Sequence, residues 1–167
     1  GQRHRSPSGF CQSVRRDAVL AVLVAFGVAS AGGALTVLDA WYFSLQQPWF
    51  KPPDWVFGPA WTLLFLLTAW SSLLAWRAAR SAAARQWVVL AFGLYYLLNL
   101  GWSLLYFFLQ QPGLAFLELL LLWGSVGLLV VRLRQISTRA SWLMLPTWLW
   151  VSFAGALNLA TVVLNSA

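Results

Sequence analysis

The side chains of this 167-residue chain that could do chemistry are few, and they fall in stripes. Asn99, Trp102, Ser103 and Tyr106 recur at i, i+3, i+4 and i+7, one face of a helix, with Phe92 and Tyr95 near the same face. Trp61, Phe65, Thr68 and Ser72 make a second stripe, and Thr147, Trp150, Ala154 and Asn158 a third. Indoles, phenols, amides and hydroxyls stack on a bound molecule and hydrogen-bond to it; they do not by themselves break bonds. The machinery that would break bonds is missing. There is no carboxylate pair, no Ser/His/Asp set and no phosphate-binding glycine loop. One histidine, His4, and one cysteine, Cys11, both lie near the N-terminus, so neither a disulfide nor a metal or haem ligand set is expected, and no cofactor. Glu118 is the only acid within an apolar run. With no ionisable partner in another run, it is expected to serve helix–helix bonding or pairing near an interface rather than a proton relay.

The elements that carry these stripes follow from composition. The chain is 60% hydrophobic and 9% charged, with a mean hydropathy of +0.72. A soluble domain carries roughly a quarter charged residues, so this is an integral membrane protein. Its net charge of +7 sits in short clusters beside apolar runs, which suits a membrane surface and not a nucleic acid. Five runs are long enough to cross about 30 Å of hydrocarbon: 18–38, 60–76, 87–109, 114–131 and 142–164. Residues 1–16 read as a disordered basic tail and 17–167 as one all-α, five-helix membrane domain. A cleaved leader ending at Ala29-Ser30-Ala31 is the rival reading of the first run, which continues past it to Leu38.

Five spans put all ten arginines on one side: Arg3, Arg5, Arg15 and Arg16; then Arg77, Arg80 and Arg85; then Arg132, Arg134 and Arg139. The positive-inside rule makes that side cytoplasmic. The opposite side carries a loop of unusual composition, WYFSLQQPWFKPPDWVFGPAW at 41–61, with four tryptophans, four prolines and the only lysine, Lys51. It reads as an aromatic lid that passes into a pocket wall at Trp61. Trp41, Trp49, Trp76, Trp87 and Trp142 lie near span ends, as an interfacial belt would. For Trp61, Trp102 and Trp150 two readings stand, pocket lining or interhelical packing. Ala25, Ala29 and Gly33, and Gly124-Ser125 with Gly127, are small surfaces suited to packing within the chain or between copies.

The block at 41–65, with Asn99-Leu-Gly-Trp102-Ser103 and Pro146 followed by Trp150, Phe153-Ala154 and Leu157-Asn158, resembles the translocator protein family. Its members are also called tryptophan-rich sensory proteins or peripheral-type benzodiazepine receptors. The resemblance covers residues from about 18 to 164 and implies a five-helix bundle with an interhelical pocket. It implies porphyrins such as protoporphyrin IX and benzodiazepine-type molecules as ligands, and a homodimer in the lipid bilayer. By motif, the pocket would be lined by Tyr42, Pro52, Trp61, Phe65, Asn99, Trp102, Ser103, Tyr106, Trp150 and Ala154. The expected function is a receptor or sensor that sequesters or transports the ligand, in a bacterial cell membrane. One alternative is a light- and oxygen-dependent porphyrin-degrading enzyme with Trp61 and Trp150 as its catalytic pair. Another is a membrane scaffold acting through helix contacts. The chain departs from the family pattern at Gln47, where a lysine is usual, and at Thr147, where a tyrosine is usual. The C-terminal sterol-recognition pattern of the animal members is absent from this sequence.

Overall fold

Leucine, alanine, valine and tryptophan dominate the five apolar runs, and in lipid such a run satisfies its backbone only by closing its own hydrogen bonds. A computed structural model describes residues 7–166, and its long helices follow that rule. They are α1 (Pro7–Leu35), α3 (Phe57–Ala78), α4 (Ala82–Ser103), α5 (Pro112–Arg132) and α6 (Thr138–Asn165), with a short helix α2 (Ala40–Ser44) between the first two. Five helices are long and apolar enough to cross a membrane, and no strand occurs among the described residues. The protein is an all-α, multi-pass helical bundle.

Most helix ends lie outside the expected spans, while α1 stops at Leu35, short of the expected Leu38. α1 begins at Pro7, within the segment expected to be a disordered tail, and residues 1–6 lie outside the described residues. Arg15, Arg16, Arg77, Arg85, Arg132 and Arg139 are all helical. At about 1.5 Å per residue the 29 residues of α1 outrun the hydrocarbon core, and a guanidinium on a long stem reaches water from a helix that continues past the interface. Local chemistry sets the starts. Ser81 caps α4 by accepting from the Ala84 N–H (3.0 Å), and Ser137 caps α6 by accepting from the Ala140 N–H (3.2 Å).

α4 departs from regular geometry at its end. Residues Leu104–Phe108 form a π-helical turn, closed by the Leu109 N–H on the Leu104 carbonyl at 2.8 Å. The next residues turn back through Gln110, which holds φ at +56°, into Pro112 at the start of α5.

The tightest packing joins α4, α5 and α6. Tyr95, Leu122, Val126, Leu129, Met144 and Val151 are buried there without measurable exposure beyond 2%. Hydroxyls stitch the helices together: Ser71 Oγ donates to the Ala140 carbonyl at 2.7 Å, and Ser141 Oγ donates to the Val130 carbonyl. Gly155 brings α6 against Leu119 of α5. α1 packs chiefly on α3 and leaves Val19, Leu20, Leu23 and Phe26 exposed to the surroundings. The small residues of α1 turn inward. Ala25 is buried in the core, and Ala29 and Gly33 border a cavity. On α5, Gly127 lies under the Trp148 ring, 3.2 Å from where a Cβ would sit.

Candidate functional site

A cavity of about 400 Å³ lies between α1, α3, α4 and α6, beneath the segment that joins α1 to α3. α3 supplies Trp61 and Phe65, stacked with ring centroids 5.7 Å apart. α6 supplies Trp150, whose ring meets Trp61 edge-on at 6.3 Å and Phe57 at 5.8 Å. Trp102 and Tyr106, from α4 and its π-helical turn, stack at 5.2 Å and form the facing wall.

Nine of the ten residues expected to line a pocket border this one cavity: Tyr42, Trp61, Phe65, Asn99, Trp102, Ser103, Tyr106, Trp150 and Ala154. Pro52 does not border it. Its carbonyl accepts a hydrogen bond from Lys51 Nζ at 3.3 Å, and the residue acts on the loop. Thr68 and Ser72, on the same stripe as Trp61, lie off the cavity, and both hydroxyls bond to carbonyls of their own helix. Thr147 is fully buried away from the cavity with its hydroxyl unpartnered. Glu118 forms no helix–helix hydrogen bond. Both carboxylate oxygens are buried and unpartnered, one lying 3.5 Å from where a Cβ on Gly101 would sit.

The mouth is polar and tied together. Tyr42 OH donates to Asp54 Oδ1 at 2.7 Å, and Lys51 Nζ pairs with the same oxygen at 2.7 Å. Burial, and then the hydrogen bond to Asp54, push the Tyr42 phenol well above its ordinary range, so it stays a donor. Lys51 borders the cavity, but its charge is met by Asp54. Gln47, at the position where the family pattern has lysine, also borders the cavity, its Oε1 accepting from the Thr161 hydroxyl at 3.4 Å. The loop is fastened further by Asn165, which accepts from the Gln46 N–H and donates to the Gln46 carbonyl, both at 2.9 Å. Gln110 Nε2 donates to Asp39 Oδ2 at 3.2 Å.

Hydrogen-bonding capacity within the cavity is lopsided. Asn158 is satisfied on both sides, accepting from Trp102 Nε1 at 3.0 Å and donating to the Pro112 carbonyl at 2.9 Å. Three donors on cavity residues are buried without an acceptor: Gln47 Nε2, Asn99 Nδ2 and Trp150 Nε1. An unmet buried donor is costly, and these three are covered within the cavity wall. No group of three or more His, Cys, Asp or Glu side chains occurs among the described residues.

Periodicity could have found Thr161, three residues beyond Asn158 on the α6 stripe, and it borders the cavity. It could not have found Phe107, which joins Tyr106 on the wall within the non-α turn. Gly32 and Gly33 of α1, and Thr36 just beyond its end, also border the cavity, on a helix whose small residues suit helix contact as well.

Residues 18–164 match the TspO/MBR family. The chain is 35% identical over 152 residues to the tryptophan-rich protein TspO of Chlorobaculum tepidum, covering 87% of this chain and 94% of the relative. It is 36% identical over 150 residues to the protein of the same name from Archaeoglobus fulgidus, with 89% and 96% covered. The translocator protein of Ovis aries is 36% identical over 121 residues, with 71% and 70% covered. The five-helix bundle, the residues gathered at its cavity and these matches lead to one conclusion: the chain belongs to the TspO/MBR family.

Proposed function

We propose that the protein is a membrane receptor or sensor that holds a flat, acceptor-bearing aromatic molecule in the cavity between α1, α3, α4 and α6, with a porphyrin such as protoporphyrin IX as the leading candidate. The observation that carries this reading is the convergence of Trp61, Trp102, Tyr106 and Trp150 on one cavity, whose lining residues Gln47, Asn99 and Trp150 each carry a buried donor without an acceptor. Its volume of about 400 Å³ falls within the range of small-molecule sites, about 300–1,000 Å³. Benzodiazepine-type molecules, which combine aromatic rings with a carbonyl, fit the same description. The arginine-bearing ends face the cytoplasm, and the cavity mouth faces the opposite side of the membrane.

Titration of tryptophan fluorescence with protoporphyrin IX tests the assignment. Trp61→Ala and Trp150→Ala are each expected to weaken binding about tenfold, because a buried ring contributes on the order of 1–3 kcal/mol with its stacking. Unchanged affinity in both variants would move the site elsewhere.

The edge-on contact of Trp61 with Trp150 at 6.3 Å favours one second reading, oxidation of the bound porphyrin by molecular oxygen under light. Bleaching of porphyrin absorbance in oxygen that slows in Trp61→Phe and Trp150→Phe supports it. Equal bleaching in wild type and variants leaves the protein a binder.

A further inference from the structure

A second cavity, of about 370 Å³, opens between α1, α3 and α4 at the arginine-bearing end. It is independent of the first. Its walls include Leu20 and Val24 of α1, Leu73 and Trp76 of α3, and Phe92 and Gly93 of α4. Along α1 the lining runs from Asp17 to Val24, and along α4 from Val88 to Tyr96. At about 1.5 Å per residue this is a groove roughly 10–12 Å long, within one leaflet of a hydrocarbon core about 30 Å thick. It is open at Gly93, where a Cβ would meet nothing within 4 Å. Leu20, Val89 and Val24, along its rims, are exposed to the bilayer side. Water has few partners there, since Ser72 already donates to the Ala69 carbonyl at 2.8 Å.

The end of the groove is cationic. The Arg85 guanidinium lies 4.5 Å over the ring of Trp76, the same indole that forms a groove wall. A guanidinium resting over an indole face still has N–H groups to offer an oxyanion. Arg77 bonds to the Val14 carbonyl at 3.2 Å, bridging α3 to α1 beside the groove. Among the described residues no arginine is in a salt bridge, since the one ion pair is Lys51 with Asp54. Asp17, at the groove's end, is the single acid there, against Arg15, Arg16, Arg77, Arg80 and Arg85.

We propose that this groove binds an anionic glycerophospholipid of the arginine-side leaflet, with one acyl chain between α1 and α4 and the phosphate on the edge of Arg85. An apolar slot open to lipid takes a chain, and the unneutralised guanidinium at its end selects the headgroup. A chain seated there fills the gap that separates α1 from α4 at this end of the bundle.

Native mass spectrometry of the protein reconstituted with equal amounts of dioleoyl phosphatidylglycerol and dioleoyl phosphatidylcholine tests the site. Wild type is expected to retain phosphatidylglycerol in preference. Arg85→Gln should lower that preference about fivefold, the factor for one arginine at an anionic surface. Arg139→Gln, on α6 and away from the groove, should leave it unchanged. Gly93→Leu, which projects a side chain into the groove, should reduce retention of either lipid. Phosphatidylglycerol brominated on its acyl chains should quench wild-type fluorescence more than that of Trp76→Phe, a readout that needs no change in the groove's shape. Equal retention of the two lipids by wild type overturns the proposal, as does an equal effect of the two arginine substitutions, which would mean bulk charge alone. A Gly93→Leu protein that is folded by circular dichroism and keeps its lipid also overturns it. So does one that loses a dimer in light scattering with lipid unchanged, because the occupant is then a second copy of this chain.

Discussion

Gln110 shows how a single residue can be held against its own preference. Its φ of +56° is the left-handed conformation that suits glycine, and its side chain is what retains it there, donating from Nε2 to Asp39 across two loops. The two effects can be separated. Gln110→Ala loses the hydrogen bond and keeps the unfavourable backbone, so it should be the less stable variant. Gln110→Gly loses the same bond but relieves the backbone, and it should unfold later than Gln110→Ala by about 1 kcal/mol. Thermal unfolding in detergent reads the order, and an inverted order would show that the left-handed backbone at this position is not a cost that glycine relieves. Residues of this kind are not legible in sequence, because Gln110-Gln111-Pro112 announces a turn without stating which residue adopts the left-handed form. The pocket residues were more legible. Trp61, Asn99, Trp102 and Trp150 stood out by spacing and motif because an indole or amide inside an apolar run is rare enough to need a reason. The three unmet donors were not legible, since whether Asn99 or Trp150 finds an acceptor depends on neighbours from other helices.

Among the helices, close approach is controlled by glycine in one place and is indifferent to it in another. At Gly155 a Cβ would lie 2.9 Å from Leu119 Cδ2, a buried side chain of α5. At Gly124 a Cβ would meet nothing within 4 Å. Gly155→Val should therefore destabilise the bundle by about 1–3 kcal/mol through overpacking, whereas Gly124→Ala should be neutral or stabilising by up to about 1 kcal/mol from helix propensity. Chemical denaturation of both variants in the same detergent makes the comparison, and equal losses would remove the packing explanation. The existence and order of the five spans could be read from apolar runs, because hydrocarbon thickness sets a minimum length that few other segments reach. Their ends could not. In sequence an arginine marks the edge of an apolar run, yet α1, α3, α4, α5 and α6 all carry arginine within the helix, since a long side chain reaches water while the backbone continues. The π-helical turn at Leu104–Phe108 was hidden for a different reason: its wider turn leaves the 3.6-residue pattern intact up to Tyr106 and shifts the facing of Phe107 and Phe108.

For the molecule as a whole, charge is the organising asymmetry. The described arginines gather where α1, α4 and α6 begin and where α3 and α5 end, while Lys51 and Asp54 lie at the cavity mouth and Asp39 caps α2. The native Cys11, exposed near the start of α1, makes this testable. A membrane-impermeant maleimide should label Cys11 in inside-out vesicles. In a Cys11→Ser background it should label Gln111→Cys, between α4 and α5, only in right-side-out vesicles. Labelling of both positions from one face would break the five-crossing topology. The two ends of the chain are not equally tolerant of added sequence. Asn165 closes the last turn of α6 and also holds Gln46 by its backbone, so the final helical turn and the roof of the cavity are one mechanical unit. A fusion or truncation at that turn would change how fast a ligand leaves while the bundle stays folded. An affinity tag for purification therefore belongs at the arginine-bearing end, and off-rates measured with a tag at Asn165 would describe a different door.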